Sequence, residues 1–153
     1  MYSRCNKGKI LITEIRHTGL VVKNLDRMLR FYKGLGLNIV SRDIEKGNFI
    51  DNVTGYRNVN LEWVKLSPPN NINMIELIKY HNNYSKIDLI KQSPNQYGCS
   101  HVAFTVENID KAIKQVINLG GSKINDPVKS KKSNVKVVYC NDPEGTLIEL
   151  VEI

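Results

Sequence analysis

His17-Thr18-Gly19-Leu20-Val21-Val22-Lys23-Asn24-Leu25-Asp26 returns later in the chain as His101-Val102-Ala103-Phe104-Thr105-Val106-Glu107-Asn108-Ile109-Asp110. The two stretches align without a gap as far as Leu35-Gly36 against Leu119-Gly120. His, Val, Asn, Asp, Leu and Gly recur at matching positions, and conservative exchanges such as Leu25/Ile109 and Arg30/Lys114 fill much of the remainder. A second match follows in each half, Met74-Ile75-Glu76-Leu77-Ile78 against Leu147-Ile148-Glu149-Leu150-Val151. A duplicated fold repeats its apolar pattern whatever it does. Repeating a His and a Glu among apolar neighbours needs another reason, because half-buried ionisable groups are costly without partners.

Working outward from the first histidine, Glu14 to Val22 alternates as a strand, with His17, Gly19 and Val21 on one face and Arg16, Thr18, Leu20 and Val22 on the other. Asn24 is placed to cap a helix whose apolar positions are Leu25, Met28, Leu29, Tyr32 and Leu35, ending at Gly36. Strands are expected at Leu37 to Asp43, Val59 to Leu66 and Ile72 to Tyr80. A loop with a helical turn near Phe49 to Val53 separates the first two, and Ser67-Pro68-Pro69-Asn70-Asn71 turns between the last two.

His81 to Gly98 is polar and reads as a connection, with room for a short helix at Ile87 to Lys91. Cys99 to Val106 restarts the pattern. Asn108 caps a second helix carrying Ile109, Ala112, Ile113, Val116 and Ile117, which Gly120-Gly121 ends. Strands follow near Lys123-Ile124, Val135 to Cys140 and Thr146 to Glu152, with Asn141-Asp142-Pro143-Glu144-Gly145 as the last turn. The organisation is therefore an N-terminal extension over residues 1–9 and one domain over 10–153, built from a first module at 14–80, a linker at 81–98 and a second module at 99–153.

Two copies of strand-helix-strand-strand-strand make an α+β fold of two small curved sheets, each with a helix over its outer face. Leu20, Val22, Val102, Phe104 and Val106 suit the helix-facing side, as do Ile75, Leu77, Ile148 and Leu150. His17, Glu76, His101 and Glu149 then share the opposite, inward parity. Two imidazoles and two carboxylates form a nitrogen/oxygen set suited to a divalent ion such as Ni, Co, Zn, Mn or Fe. Four protein ligands in an octahedral shell leave two positions open, an arrangement for polarising a carbonyl and stabilising an enediolate. A nearby carboxylate can act as base toward a carbon acid. Each residue alone has a plainer reading, a packed histidine or a solvent-facing strand glutamate; the matched set favours metal ligation. His81 has no counterpart and reads as a surface histidine.

The bulk numbers narrow the partners. The 153 residues carry 41% hydrophobic side chains, enough for a packed interior. No apolar run approaches the ~20 residues that span a bilayer, and the polar, basic start lacks a secretory pattern, so a cytoplasmic location without membrane contact is expected. Cys5, Cys99 and Cys140 are odd in number and scattered, which reads as reduced thiols, with Cys99 a small buried residue on the His101 face. The net charge of +7 concentrates only at Lys129, Lys131, Lys132 and Lys136. No aromatics interleave with them, so a solvated loop is favoured over nucleic-acid binding, with an anion-binding lip as the functional alternative.

Nearly the whole chain, about Ile15 to Ile153, resembles the vicinal oxygen chelate superfamily. The resemblance lies in His17 to Gly36, His101 to Gly120 and Asp142-Pro143-Glu144-Gly145-Thr146-Leu147-Ile148-Glu149-Leu150. It implies paired βαβββ modules forming an open barrel around a metal, with His17, Glu76, His101 and Glu149 as ligands. It is best at the metal for the glyoxalase I (lactoylglutathione lyase) branch, which implies Glu149 as principal base and Glu76 as a partner in proton return. It also implies a small-molecule substrate, an oxo-compound or its thiol adduct, and a homodimer in which some relatives build each site from two chains. Val21 stands where many glyoxalases carry a glutathione-contacting Arg, and Glu76 where epimerases commonly carry Gln. An extradiol-type dioxygenase using His17, His101 and Glu149, an acyl-CoA epimerase whose CoA phosphates would suit the lysine loop, and a non-catalytic drug- or metabolite-binding protein are the alternatives.

Overall fold

Asn24 and Asn108 set the frame. Each sits in extended backbone and turns its side-chain oxygen back onto the third residue ahead, Asn24 accepting from Arg27 N at 3.0 Å and Asn108 from Lys111 N at 2.8 Å. Helices α1 (Leu25–Gly34) and α3 (Ile109–Asn118) start there, with Asp26 and Asp110 in their first turns against the positive helix end. The computed structural model describes residues 11–70, 73–85 and 92–153. The helix expected at Ile87 to Lys91 and the extension at 1–9 lie outside them.

The first module runs β1 (Thr18–Val21), α1, β2 (Asn38–Lys46), α2 (Asn48–Thr54), β3 (Asn60–Ser67) and β4 (Ile75–Tyr80), with sheet order β1-β4-β3-β2. The second runs β5 (Val102–Thr105), α3, β6 (Ser122–Lys123), β7 (Val128–Lys129), β8 (Lys136–Asn141) and β9 (Leu147–Glu152), with order β5-β9-β8-β6 and β7 paired to β8. In both modules the first strand lies parallel to the last, and the remaining main pairings are antiparallel. This is the expected pair of βαβββ modules in an α+β fold, with curved mixed sheets and no closed barrel among the described residues.

Local differences from expectation have physical causes. The first strand is shorter than its alternation suggests, because pairing begins only at Thr18, whose N–H donates to Met74 O at 3.0 Å. His17 and His101 therefore stand just ahead of their ladders. The turn near Phe49 is a seven-residue helix, seated by Ile50 on Val59 and Leu61 and closed by Gly55 at φ 74°. The lysine segment is partly ordered as a ladder in which Lys129 faces Lys136, and Lys136 Nζ pairs with Asp110 at 2.9 Å. Cys99 is exposed rather than buried, since it precedes β5, and its thiol lies 3.8 Å from the His101 carbonyl.

One apolar core joins both modules. Met28, Phe31 and Tyr32 of α1 pack with Val116 of α3, with Val64, Leu66, Ile75 and Leu77 of the first sheet, and with Val138, Cys140, Ile148 and Leu150 of the second. Within the second module Gly121 allows a close approach: a Cβ there would stand 2.6 Å from Asn141 O and 2.8 Å from Val116 Cγ1. The turn joining β8 and β9 reaches across to the first module. Glu144 accepts from Lys23 N and Asn24 N, both at 2.7 Å, so a carboxylate of one module caps the helix of the other. Because both sheets spend their helix-facing sides on this core, the opposite sides are left for other contacts.

Candidate metal centre

The β1–β4 register sets Gly19 beside Glu76, and the β5–β9 register sets Ala103 beside Glu149. Each histidine lies two residues before that point, on the same side of the chain as its glutamate. The side chains meet accordingly. His17 Nε2 is 3.2 Å from Glu76 Oε2, and His101 Nε2 is 3.0 Å from Glu149 Oε2. All four are partly accessible, the glutamates at 13% and 21% of their side-chain surface. The sequence duplication is thus a duplication of a contact: one imidazole against one carboxylate, at equivalent places in each module.

The pairs do not merge. Among the described residues, no three His, Cys, Asp or Glu side chains gather closely enough to hold a metal ion. His17 and His101 both open on a cleft of about 1080 Å³ between the modules, walled by Leu35, Pro68 and Phe104, but neither glutamate lines it. Each chain therefore presents two half-sites.

Neighbouring groups distinguish the halves. His101 Nδ1 lies 2.7 Å from Ser100 Oγ. In the tautomer with Nδ1 protonated, that ring donates to the serine and leaves Nε2 with the lone pair that a cation between it and Glu149 would take. The Tyr139 ring stands edge-on to His101 with centroids 5.2 Å apart. On the other half, Lys65 Nζ is 3.4 Å from Glu76 Oε1 and 4.4 Å from the Trp63 ring centroid. His17 Nδ1 is buried without a hydrogen-bond partner among the described residues. His81 pairs with the buried Glu62 at 3.4 Å, together with Arg42, and stays apart from both half-sites.

Ser100, Tyr139 and Lys65 are absent from the sequence-based set. Tyr139 and Lys65 carried a signal only through strand register, since each sits directly opposite a candidate glutamate. The donors present fit a divalent cation: nitrogen and carboxylate oxygen only, already in pairwise contact, with one imidazole nitrogen buried and unspent.

The sequence profile of the Glyoxalase/Bleomycin resistance protein/Dioxygenase superfamily matches residues 14–150. A probable lactoylglutathione lyase from Synechocystis sp. is 30% identical over 139 residues, covering 89% of this chain and 92% of that protein. A lactoylglutathione lyase from Neisseria meningitidis serogroup B is 28% identical, covering 89% of this chain and 88% of its own. A crystal structure of a glyoxalase family protein from Bacillus cereus superposes with a TM-score of 0.86 at 28% identity, over 97% of both chains.

Proposed function

Because the chain belongs to the glyoxalase/bleomycin resistance protein/dioxygenase superfamily, we propose that it is a metal-dependent lyase or isomerase of the lactoylglutathione lyase type. It acts on a small oxo-compound or its thiol adduct. The observation that carries the reading is the duplicated contact, His17 on Glu76 at 3.2 Å and His101 on Glu149 at 3.0 Å. His17, Glu76, His101 and Glu149 would hold the cation, and its contribution when bound is Lewis-acid polarisation of a substrate oxygen.

Among the described residues the four side chains stand as two separate pairs, which supports a centre completed by a second copy. In the homodimer each centre takes His17 and Glu76 from one chain, with His101 of the partner subunit and Glu149 of the partner subunit. Val21, on the ligand-bearing face beside Ile78 and 66% exposed, gives that face apolar surface for the partner to cover.

The carboxylates then divide the proton work. Glu149 takes the proton from the carbon beside the substrate oxygen, and Glu76 or Glu149 returns one to the neighbouring carbon. Ser100 holds the His101 ring so that Nε2 stays turned toward the centre. Phe49 and Val53 of α2, both exposed, supply apolar surface at the far end of the first module's face.

The test begins with mass spectrometry of the intact assembly with and without a chelator. A turnover screen against hemithioacetals, acyl-CoA epimers and catechols follows. Metal-dependent conversion of a hemithioacetal without oxygen demand supports the reading. Oxygen-dependent cleavage of catechols, or a protein that takes up no metal, defeats it.

A further inference from the structure

The first half-site holds a cation that this chemistry does not use. Lys65 lies directly across from Glu76 in the β3–β4 register, with its Nζ 3.4 Å from Oε1 and its side chain only 18% exposed. The ammonium also sits 4.4 Å from the Trp63 ring centroid, so indole and carboxylate together compensate its partial desolvation. The duplication is broken at this point. In the second module the position opposite Glu149 is Tyr139, a neutral ring against His101. Sheet geometry accepts either side chain, so the fold does not demand the charge.

A charge count shows what the lysine adds. A divalent ion balances the Glu76 and Glu149 carboxylates, leaving the Lys65 ammonium as the surplus positive charge. Lys65 and the ion would share one carboxylate, Lys65 at Oε1 and the ion on the His17 side at Oε2. With the Glu76 charge shared in this way, the half-buried ammonium keeps the face of Trp63 but its ion pair is weakened, which favours a further anionic oxygen nearby. A lysine, as a compact point charge with rotatable donors, suits a single carboxylate oxygen rather than a bidentate clamp.

We infer that Lys65 is a specificity-determining residue that selects substrates carrying an anionic oxygen, a carboxylate above all, within a bond or two of the reacting oxo group. The carboxylate rests on Nζ beside Trp63 while the oxo group lies at the metal centre. This rests on the function proposed above and deepens it by naming the charge class of the substrate.

Trp63 is the single tryptophan of the chain, so its emission reports on this corner directly. The nickel-loaded protein is titrated with pyruvate and, separately, with the neutral ketone hydroxyacetone, by calorimetry and by Trp63 fluorescence. Wild type, Lys65→Met and Lys65→Arg are compared, each with its nickel content measured by native mass spectrometry. Lys65→Met should weaken pyruvate about tenfold more than hydroxyacetone, the scale of one charge-assisted hydrogen bond. Lys65→Arg should recover most of that loss, and nickel content should stay level across the three. Equal pyruvate affinity in wild type and Lys65→Met overturns the inference, as does a loss that falls equally on both ketones. Nickel uptake with charge-blind binding overturns this inference alone, whereas failure of the wild type to take up nickel overturns the proposed function with it.

Discussion

Tyr32, on the first helix, donates its hydroxyl to Asp142 in the last turn across 3.0 Å, and the bond is buried. It ties the modules together from inside the core, while Glu144, two residues on, ties them from outside by capping the same helix. Burial and the neighbouring Asp142 carboxylate hold the Tyr32 phenol well above its ordinary range. Burial likewise raises the Asp142 carboxyl, against the lowering effect of its Thr146, Glu144 and Tyr32 hydrogen bonds. Tyr32→Phe leaves the Asp142 carboxylate buried with one donor fewer. We predict a loss of about 1–3 kcal/mol in denaturant-induced unfolding. Unchanged stability would show that the inter-module bond is not made in solution.

Gly121 tests the close packing of the segment after α3 against β8 within the second module. An added methyl meets Asn141 O at 2.6 Å, and backbone cannot swing aside as a flexible side chain can. Gly121→Ala should cost about 1–3 kcal/mol, the usual scale of overpacking, read as a lower midpoint in thermal or denaturant melts. A variant as stable as wild type would contradict the packing described.

Cys140 gives the alkaline limb of stability. Burial raises its thiol from an ordinary 9.0 to about 11. The unfolded chain therefore releases this proton first as pH rises. The sign follows: the contribution is complete below pH 9 and is lost as pH climbs through about 11. Cys140→Ala should flatten the difference in unfolding free energy between pH 9 and 11. An equally steep decline in the variant would remove Cys140 as the cause.

Glu149→Gln keeps the shape of the half-site and removes its capacity to take a proton. Turnover should fall roughly 10²–10⁴-fold, the range of general-base catalysis, with circular dichroism and melting midpoint close to wild type. Activity at the wild-type level would reassign the base.

Much of this was legible in the chain because two periods superimpose. The period of two within strands sorted Ile75 and Leu77 from Glu76, and Ile148 and Leu150 from Glu149, and the duplication confirmed each assignment with the other. The asparagine caps were visible for the same reason. What escaped depends on register and on distant contacts. Lys65 reaches Glu76 only because the segment around Pro68 and Pro69 sets one particular pairing of β3 with β4. Glu144 caps a helix 120 residues away in sequence, which no local pattern announces. Cys99 was misjudged because alternation was extended past the point where strand pairing begins. The separation of the half-sites escaped too, since parity fixes which face a residue occupies but not where two sheets lie relative to each other.

The central claim is that two chains share each centre, and complementation tests it most directly. One variant carries His17→Ala with Glu76→Ala, the other His101→Ala with Glu149→Ala, so neither homodimer has an intact set. In a co-expressed mixture, half of the dimers are hybrids, and each hybrid regains one complete centre. The account predicts nickel binding and turnover in the mixture at about a quarter of the wild-type level per chain, with none in either variant alone, as two-fold symmetry requires. A mixture as inactive and metal-free as its components, with hybrid dimers present by native mass spectrometry, would contradict it.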